Sequence, residues 1–501
     1  MLTLKPYRRA AVPLLAIATA DPQSVVRLAI REARNGSTAP VLIWDVVHGI
    51  RAGNPEAQGL ADELNGGQDP SIATGSPIEA LRAVEKLGQR DEPTISVFLG
   101  LADILADAQA GVPARQALWN LRDILPSSGA LFCFTVPLGW RNPFPNDIAA
   151  ADEALPDRAA LLELVGKLAK DAGIAAPDDE TAGRCADALT GLSGFAAEQA
   201  LALSIGKGRI DVSALWERKR QQVAQTAGLS IYGGKEKFSD IGGIEQGKAL
   251  FGRILAGNRK PGAVVFIDEI EKALAGAGGS DTSGVSQGLL GYLLTYMQDN
   301  SATGAIFLGH PGAAKSALAK AIGNEGEIPT LQLDLGGIKG SLVGESEARM
   351  REALSVVTAV SGGRPLFIAT CNGIASLPPE LRRRFTIGTL FFDLPTVDER
   401  AAIWPIYLRK YKLADQPIPA CDGWTGADIQ QCADIADRLN CTLIEAARFV
   451  VPGWVSARDS IERRRTEANG KYLSANDPGI YRAPMVAATG GRKIQTESEG
   501  K

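Results

Sequence analysis

The chain has 501 residues and is short of histidine, of closely paired cysteines, of long apolar runs and of excess basic charge. Only His48 and His310 are present, and Cys133, Cys185, Cys371, Cys421, Cys432 and Cys441 are scattered without CxxC spacing. That combination argues against a zinc site and for reduced thiols in a cytoplasmic protein. No stretch approaches the ~18 uninterrupted apolar residues of a membrane-spanning helix, so no membrane association is expected. Arg8-Arg9 ahead of Ala10–Ala20 imitates a signal peptide, but Pro13 interrupts the run and Asp21 closes it, so a first β-strand is expected there. A net charge of −4 excludes a global basic footprint for nucleic acid, though a local basic channel stays open. Hydrophobic residues make up 45% and charged residues 22%, which is ordinary for a soluble globular chain of two or three domains.

What is present is a repeated theme. Apolar runs at Pro40–Val47, Thr94–Gly100 and Ala130–Val136 alternate with helical stretches at Val25–Arg34 and Ile78–Leu87. Such runs, too continuous for a one-sided strand, predict a mostly parallel sheet covered on both faces. Residues 154–205 turn helical, and Val212–Gln225 reads as a charged helical connector within a linker spanning 206–235. A second α/β block over 236–395 leads into a helical block at 396–455, a charged helix within 456–481 and a small, polar tail at 482–501 expected to be disordered. The chain therefore reads as two similar α/β-plus-helical units.

Only the second carries phosphate chemistry. Thr303–Gly309 is a strand leading into Gly309-His310-Pro311-Gly312-Ala313-Ala314-Lys315-Ser316, and Ala317 continues into a helix. Strand, loop and helix in that order bring backbone N–H groups together on phosphate oxygens. Lys315 would reach the β- and γ-phosphates of ATP, and Ser316 would ligate Mg²⁺. Ala314 departs from the pattern, because glycine normally stands directly before the lysine. An alanine at negative φ costs little, whereas a positive φ stores strain of order 1 kcal/mol or more. Val264–Ile267 place an apolar strand before Asp268-Glu269, with Asp268 suited to the Mg²⁺ hydration shell and Glu269 to polarising the attacking water. Solvated acids at a strand end are the bland alternative, and the nearby loop weighs against it.

These residues resemble the AAA subgroup of AAA+ ATPases over roughly residues 236–452. The likeness rests on Phe238-Ser-Asp240-Ile241-Gly242-Gly243, Phe266–Lys272, the Gly309 loop, Leu342–Ala353, Ile368–Asn372, Leu377–Leu381 with Arg382-Arg383-Arg384-Phe385, and Trp424–Ile429. It implies that Asp240, Ile241 and Gly242 lie on the adenine side, with Gly426 and Ala427 beside the nucleotide from a helical lid. Asn372 would orient the lytic water at the end of a strand between the loop strand and the acidic strand. Arg383 or Arg384 would reach a neighbouring subunit's γ-phosphate. Leu342 and Val343 would form a central pore loop, although an aromatic is usual where Leu342 stands. The chain order departs from the family's, since the acidic strand precedes the loop; a sheet that keeps the loop, Asn and acidic strands adjacent would rebuild the site.

The expected fold is thus α/β, a P-loop parallel sheet with a helical lid, preceded by a degenerate unit of the same kind. Poorly characterised AAA proteins of phages, cyanobacteria and plastids share that plan. The expectation is an ATP hydrolase in a bacterial or phage-infected cell, forming a ring, most naturally a hexamer, that remodels a protein or nucleoprotein. Two rivals stay open: a nucleotide switch or scaffold with little turnover, motivated by Ala314, and a DNA-directed motor, for which Arg463-Arg464-Arg465 is too short a basic run. In the first half, Phe98-Leu99-Gly100 lacks the acid pair and no Gly-Lys-Ser loop precedes it, so no nucleotide is expected there. Trp44, Asp45 and His48 are weighed as a site but fit core and loop positions better.

Overall fold

A computed structural model describes residues 2–34, 39–90, 93–107, 111–137, 140, 142, 146–206, 208–273, 285–339, 343–373 and 377–484. The chain divides into two units, one of residues 1–231 with 336–363 and one of 232–335 with 364–501.

In the first unit, strands β1 (Leu14–Ala18), β2 (Val41–Asp45), β3 (Gly49–Ala52), β4 (Ile95–Phe98), β5 (Leu131–Val136) and β6 (Ala149–Asp152) form one sheet in the order β3-β2-β4-β5-β1-β6. All pairings are parallel except the β2–β3 hairpin. Alternation along each strand sorts the apolar runs onto two faces. Trp44, Phe98, Phe132 and Phe134 pack one cluster, and Leu15, Ile17, Val97 and Cys133 the other. Both faces are dry, which is why the runs read as continuous.

Trp44 is a core residue, stacked 4.8 Å from Phe98 with its indole N–H donating to the Thr74 carbonyl. Asp45 and His48 close a surface turn through a 2.8 Å contact. Helices Arg158–Asp171, Asp179–Leu189, Gly194–Ala202 and Val212–Val223 make a separate helical cluster, capped by Asp157, Asp178, Ser193 and Asp211. The expected linker at 206–235 is therefore corrected. Its helix buries Leu215, Lys219 and Val223, and residues through 231 belong to the first unit.

The second unit contains strands β7 (Ala263–Ile267), β8 (Thr303–Gly309), β9 (Thr330–Leu333), β10 (Pro365–Cys371), β11 (Gly388–Phe392) and β12 (Leu473–Ser474), which lie side by side as β12-β11-β8-β10-β7-β9. Their pairings are parallel. Set against the first sheet's β6-β1-β5-β4-β2, the run β11-β8-β10-β7-β9 is the same arrangement, with β8 in the place of β1 and β7 in the place of β4. Only the chain order differs. The acidic strand β7 has moved ahead of the loop strand β8 without losing its position beside the Asn strand β10.

Helices Val397–Lys410, Gly426–Leu439 and Leu443–Ala446 form the lid around Trp404, Trp424 and Ile429. The next helix runs Gly453–Ala468, earlier than expected, and β12 follows it. Most of the predicted disordered tail, residues 485–501, lies outside the described residues. No described helix is long and apolar enough to cross a membrane.

Candidate active site

Parallel register aligns the strand ends at one edge of the second sheet. Leu308 pairs with Cys371 and Ile267 with Ala369, so the end of β8 at Gly309 lies level with the points where Asp268 and Asn372 leave the sheet. The loop that follows β8 must turn sharply. Gly309 has no room for a side chain, since a Cβ there would lie 2.4 Å from the Phe392 carbonyl oxygen. Gly312 adopts φ +82° against the start of the lid helix at Thr425. Ala314 caps the next helix, Lys315–Glu325, at φ +62°, in the left-handed region. The condition set by the sequence is therefore met on its costly side: the backbone demands positive φ and alanine supplies it under strain. First-turn N–H groups have no intrahelical partner, and those of Lys315, Ser316 and Ala317 belong to residues lining a cavity of about 400 Å³.

Pro311 to Ala317 line that cavity with Asp240, Ile241, Gly242, Asp268, Glu269, Asn372, Gly426 and Ala427, so most expected site residues meet in one place. Gly309 and His310 do not line it. Their carbonyls instead accept from Lys315 Nζ at 2.7 and 2.9 Å. Lys315 is buried, and desolvation, with the Arg464 charge behind it, lowers its pKa to about 8. Burial likewise holds the His310 imidazole below its ordinary value.

Ser316 Oγ donates to Asp268 Oδ1 at 3.0 Å, and the Thr370 hydroxyl donates to the same oxygen. A hydroxyl and a carboxylate in contact are a hard-oxygen pair of the kind Mg²⁺ takes, and the Lys315 ammonium beside them suits a phosphate. The residues fit Mg-ATP. Glu269, at φ +46°, donates its N–H to Thr370 Oγ1 at 2.8 Å. Its carboxylate accepts from Asn372 Nδ2 at 3.2 Å and pairs with Lys272 at 2.6 Å. Asn372 Oδ1 in turn accepts from Lys315 Nζ at 3.2 Å, so one amide ties the phosphate-side cation to the candidate base.

The loop, the acid pair and the Asn strand end therefore meet at one cavity although their strands arrive in permuted order. Residues 2–138 match the family described as "SpoVK-like AAA ATPase, N-terminal domain", and residues 305–362 match "ATPase family associated with various cellular activities (AAA)". Both matched stretches are thus similar to AAA ATPases. An "Uncharacterized AAA domain-containing protein ycf46" of Guillardia theta is 24% identical over 454 residues, covering 81% of this chain and 79% of that protein. Its namesake in Trieres chinensis is 23% identical over 478 residues, covering 84% and 85%. The namesake in Gracilaria tenuistipitata var. liui reaches 28% over 269 residues, covering 46% and 47%. The match at 2–138 falls within the first unit, and the match at 305–362 takes in the loop strand and its loop.

Three further placements concern the expected residues. Arg383 is exposed, Arg384 donates to Gln298 at 2.6 Å, and neither lines the cavity. Val343 opens the helix Val343–Ser361, and Leu342 lies outside the described residues. Several wall residues were not anticipated: Thr370, Glu399, Ile403, Tyr407, Gln430 and Asn476. Thr370 had a readable signal, since it sits two positions from Asn372 and so faces the same side of β10. Glu399 had one too, closing a Thr-x-x-Glu capping box with Thr396. Asn476 had none.

Proposed function

We propose that this chain binds and hydrolyses ATP and works as a ring of identical subunits, a hexamer in the simplest form, to remodel a protein or nucleoprotein. The observation that carries hydrolysis is the Lys315–Asn372–Glu269 chain of contacts. It holds a carboxylate at the cavity, in hydrogen-bond contact with the amide that steadies the phosphate-side lysine. In that geometry Glu269 takes the proton of the attacking water, Asn372 orients that water, and Lys315 meets the charge growing on the transferred phosphoryl group. Mg²⁺, held through Ser316 and Asp268, would neutralise charge on the β- and γ-oxygens.

Assembly is supported by what the cavity wall does not contain. Among the described residues lining it there is no arginine, while Arg383 stands exposed elsewhere on the same unit. A second copy would bring Arg383 to the γ-phosphate. Arg384 is already engaged by Gln298, which favours Arg383 for that role.

A second reading, a switch with little turnover, draws on the Glu269–Lys272 ion pair, which occupies the candidate base. A DNA-directed motor gains nothing from Arg463-Arg464-Arg465. Arg465 is spent on Asp393 and Glu462, and the Arg464 charge falls on the loop lysine.

Steady-state Mg-ATP turnover across a protein concentration series decides between the first two. The expected result is specific activity that rises with concentration, falls about 10²-fold or more in Glu269→Gln with binding retained, and disappears with binding in Lys315→Ala. Tight ATP binding with no turnover at any concentration would leave the switch reading standing instead.

A further inference from the structure

The Asn372 amide joins two groups at the cavity, since its Oδ1 accepts from Lys315 and its Nδ2 donates to Glu269. Such an amide is placed only as well as the backbone that carries it. Asn372 is the first residue beyond β10, whose last pairing is Cys371 with Leu308, so the ladder no longer holds it. Its N–H donates instead to Glu271 Oε1 at 2.9 Å.

Glu271 belongs to the short helix Ile270–Ala273 that follows the acid pair, and that helix packs on β10. Glu269 and Glu271 therefore grip one asparagine at two points, the first by its side chain and the second by its backbone. Glu271 is not among the described residues that line the cavity. Its second oxygen, Oε2, is buried without a hydrogen-bond partner. The neighbouring Cys371 thiol is pushed up to about 12 by burial and then by the Glu271 charge. Native interiors seldom leave a carboxylate oxygen unmatched, so fold stability gives little reason for an acid here. What the acid secures is the Asn372 N–H.

We propose that Glu271 is a positioning residue for hydrolysis, holding the Asn372 backbone so that the side-chain amide stands between Lys315 and Glu269. The inference rests on the hydrolytic reading of the cavity and adds to it a residue outside the cavity wall. The Glu271 charge also opposes the burial and the Arg464 charge that lower the Lys315 pKa, so hydrogen bond and charge have to be separated.

The full chain is compared as wild type, as Glu271→Gln, which keeps an acceptor of the same reach without the charge, and as Glu271→Ala, which keeps neither. Mg-ATP turnover should fall about ten- to a hundredfold in Glu271→Ala, with ATP affinity within about threefold of wild type. Glu271→Gln should restore turnover to within about threefold. In an Asn372→Ala background, Glu271→Ala should cost no further turnover, because the amide it positions is gone. Amide exchange followed by mass spectrometry should show the Asn372 N–H exchanging about tenfold faster or more in Glu271→Ala, and at the wild-type rate in Glu271→Gln. If the alanine variant melts low, Glu271→Met, which restores side-chain length without a carboxylate, is read in its place. A glutamine variant as slow as alanine overturns the proposal, because charge would then be what counts. A full further loss in the Asn372→Ala background, or unchanged exchange in a folded Glu271→Ala, overturns it as well. Absence of turnover in wild type would refute the hydrolytic reading instead, and the exchange comparison would still decide whether Glu271 holds Asn372.

Discussion

Ala314→Gly asks whether the missing glycine disables the loop or merely strains it. Ala314 holds φ +62°, and an L-residue in that region carries about 1–2 kcal/mol that glycine does not. Glycine gives back about 0.4–1 kcal/mol through the greater entropy of its unfolded chain. It also loses the packing of one half-buried methyl against the cluster that includes Leu318, worth about 0.4 kcal/mol as half of a buried CH₂. The balance is a stabilisation of about 0.5 kcal/mol, or a rise of roughly 1–2 °C in melting temperature for a unit of this size. Because the strained alanine already occupies the glycine-like conformation, the loop N–H groups point the same way in both proteins. ATP affinity should therefore stay within about threefold, which is under 1 kcal/mol. Thermal melting with and without Mg-ATP, and titration calorimetry, measure both quantities. An ATP affinity that improves tenfold or more in Ala314→Gly would refute the reasoning, and would make the alanine methyl an obstacle in the phosphate cradle. A melting temperature lowered by several degrees would show that Ala314 is not strained as its φ implies. A valine there, β-branched at positive φ, should be worse than either.

Two other expectations follow from single contacts. Arg383→Ala should cut turnover about 10³-fold or more while leaving ATP binding intact, whereas Arg384→Ala, which loses only the Gln298 bond, should cost far less; equal losses would erase the distinction between them. Lys219, buried with its Nζ 3.1 Å from the Asp187 carbonyl oxygen and 4.8 Å from the Trp216 ring centroid, has its pKa lowered by burial to about 7. The unfolded chain, with a lysine pKa near ~10.4, holds the extra proton between those values, so this residue makes stability rise with pH above 7, by at most ~1.4 kcal/mol per unit. Lys219→Met should flatten that slope in urea denaturation between pH 7 and 9, and an unchanged slope would place the titration elsewhere.

Residues contiguous in the chain carried most of what could be read in advance. A loop that wraps phosphate needs its turn, lysine and hydroxyl in succession, so Gly309–Ser316 is legible in any fold order. The acid pair after Val264–Ile267 is legible for the same reason, because an apolar strand and the residue that leaves it are neighbours by definition. Apolar runs buried on both faces likewise announced two parallel sheets. The sequence posed the Ala314 question in full but could not answer it, since a φ sign depends on where the flanking strand and helix are pinned.

What only the tertiary structure decided is adjacency between distant segments. Chain order left open whether the acidic strand, displaced ahead of the loop, still reached it; the parallel pairing of β7 and β8 on either side of β10 settles that. Nothing in Val212–Gln225 distinguishes a linker from a packed helix until Lys219 and Leu215 are seen buried. Asn476 belongs to no motif, because its part in the cavity depends on β12 docking against β11 and on a carboxylate seventy-seven positions upstream. Short-range stereochemistry is written in short words of sequence. A shared cavity is assembled by hydrogen-bond register and burial between segments that have no local reason to meet, and there the sequence falls silent.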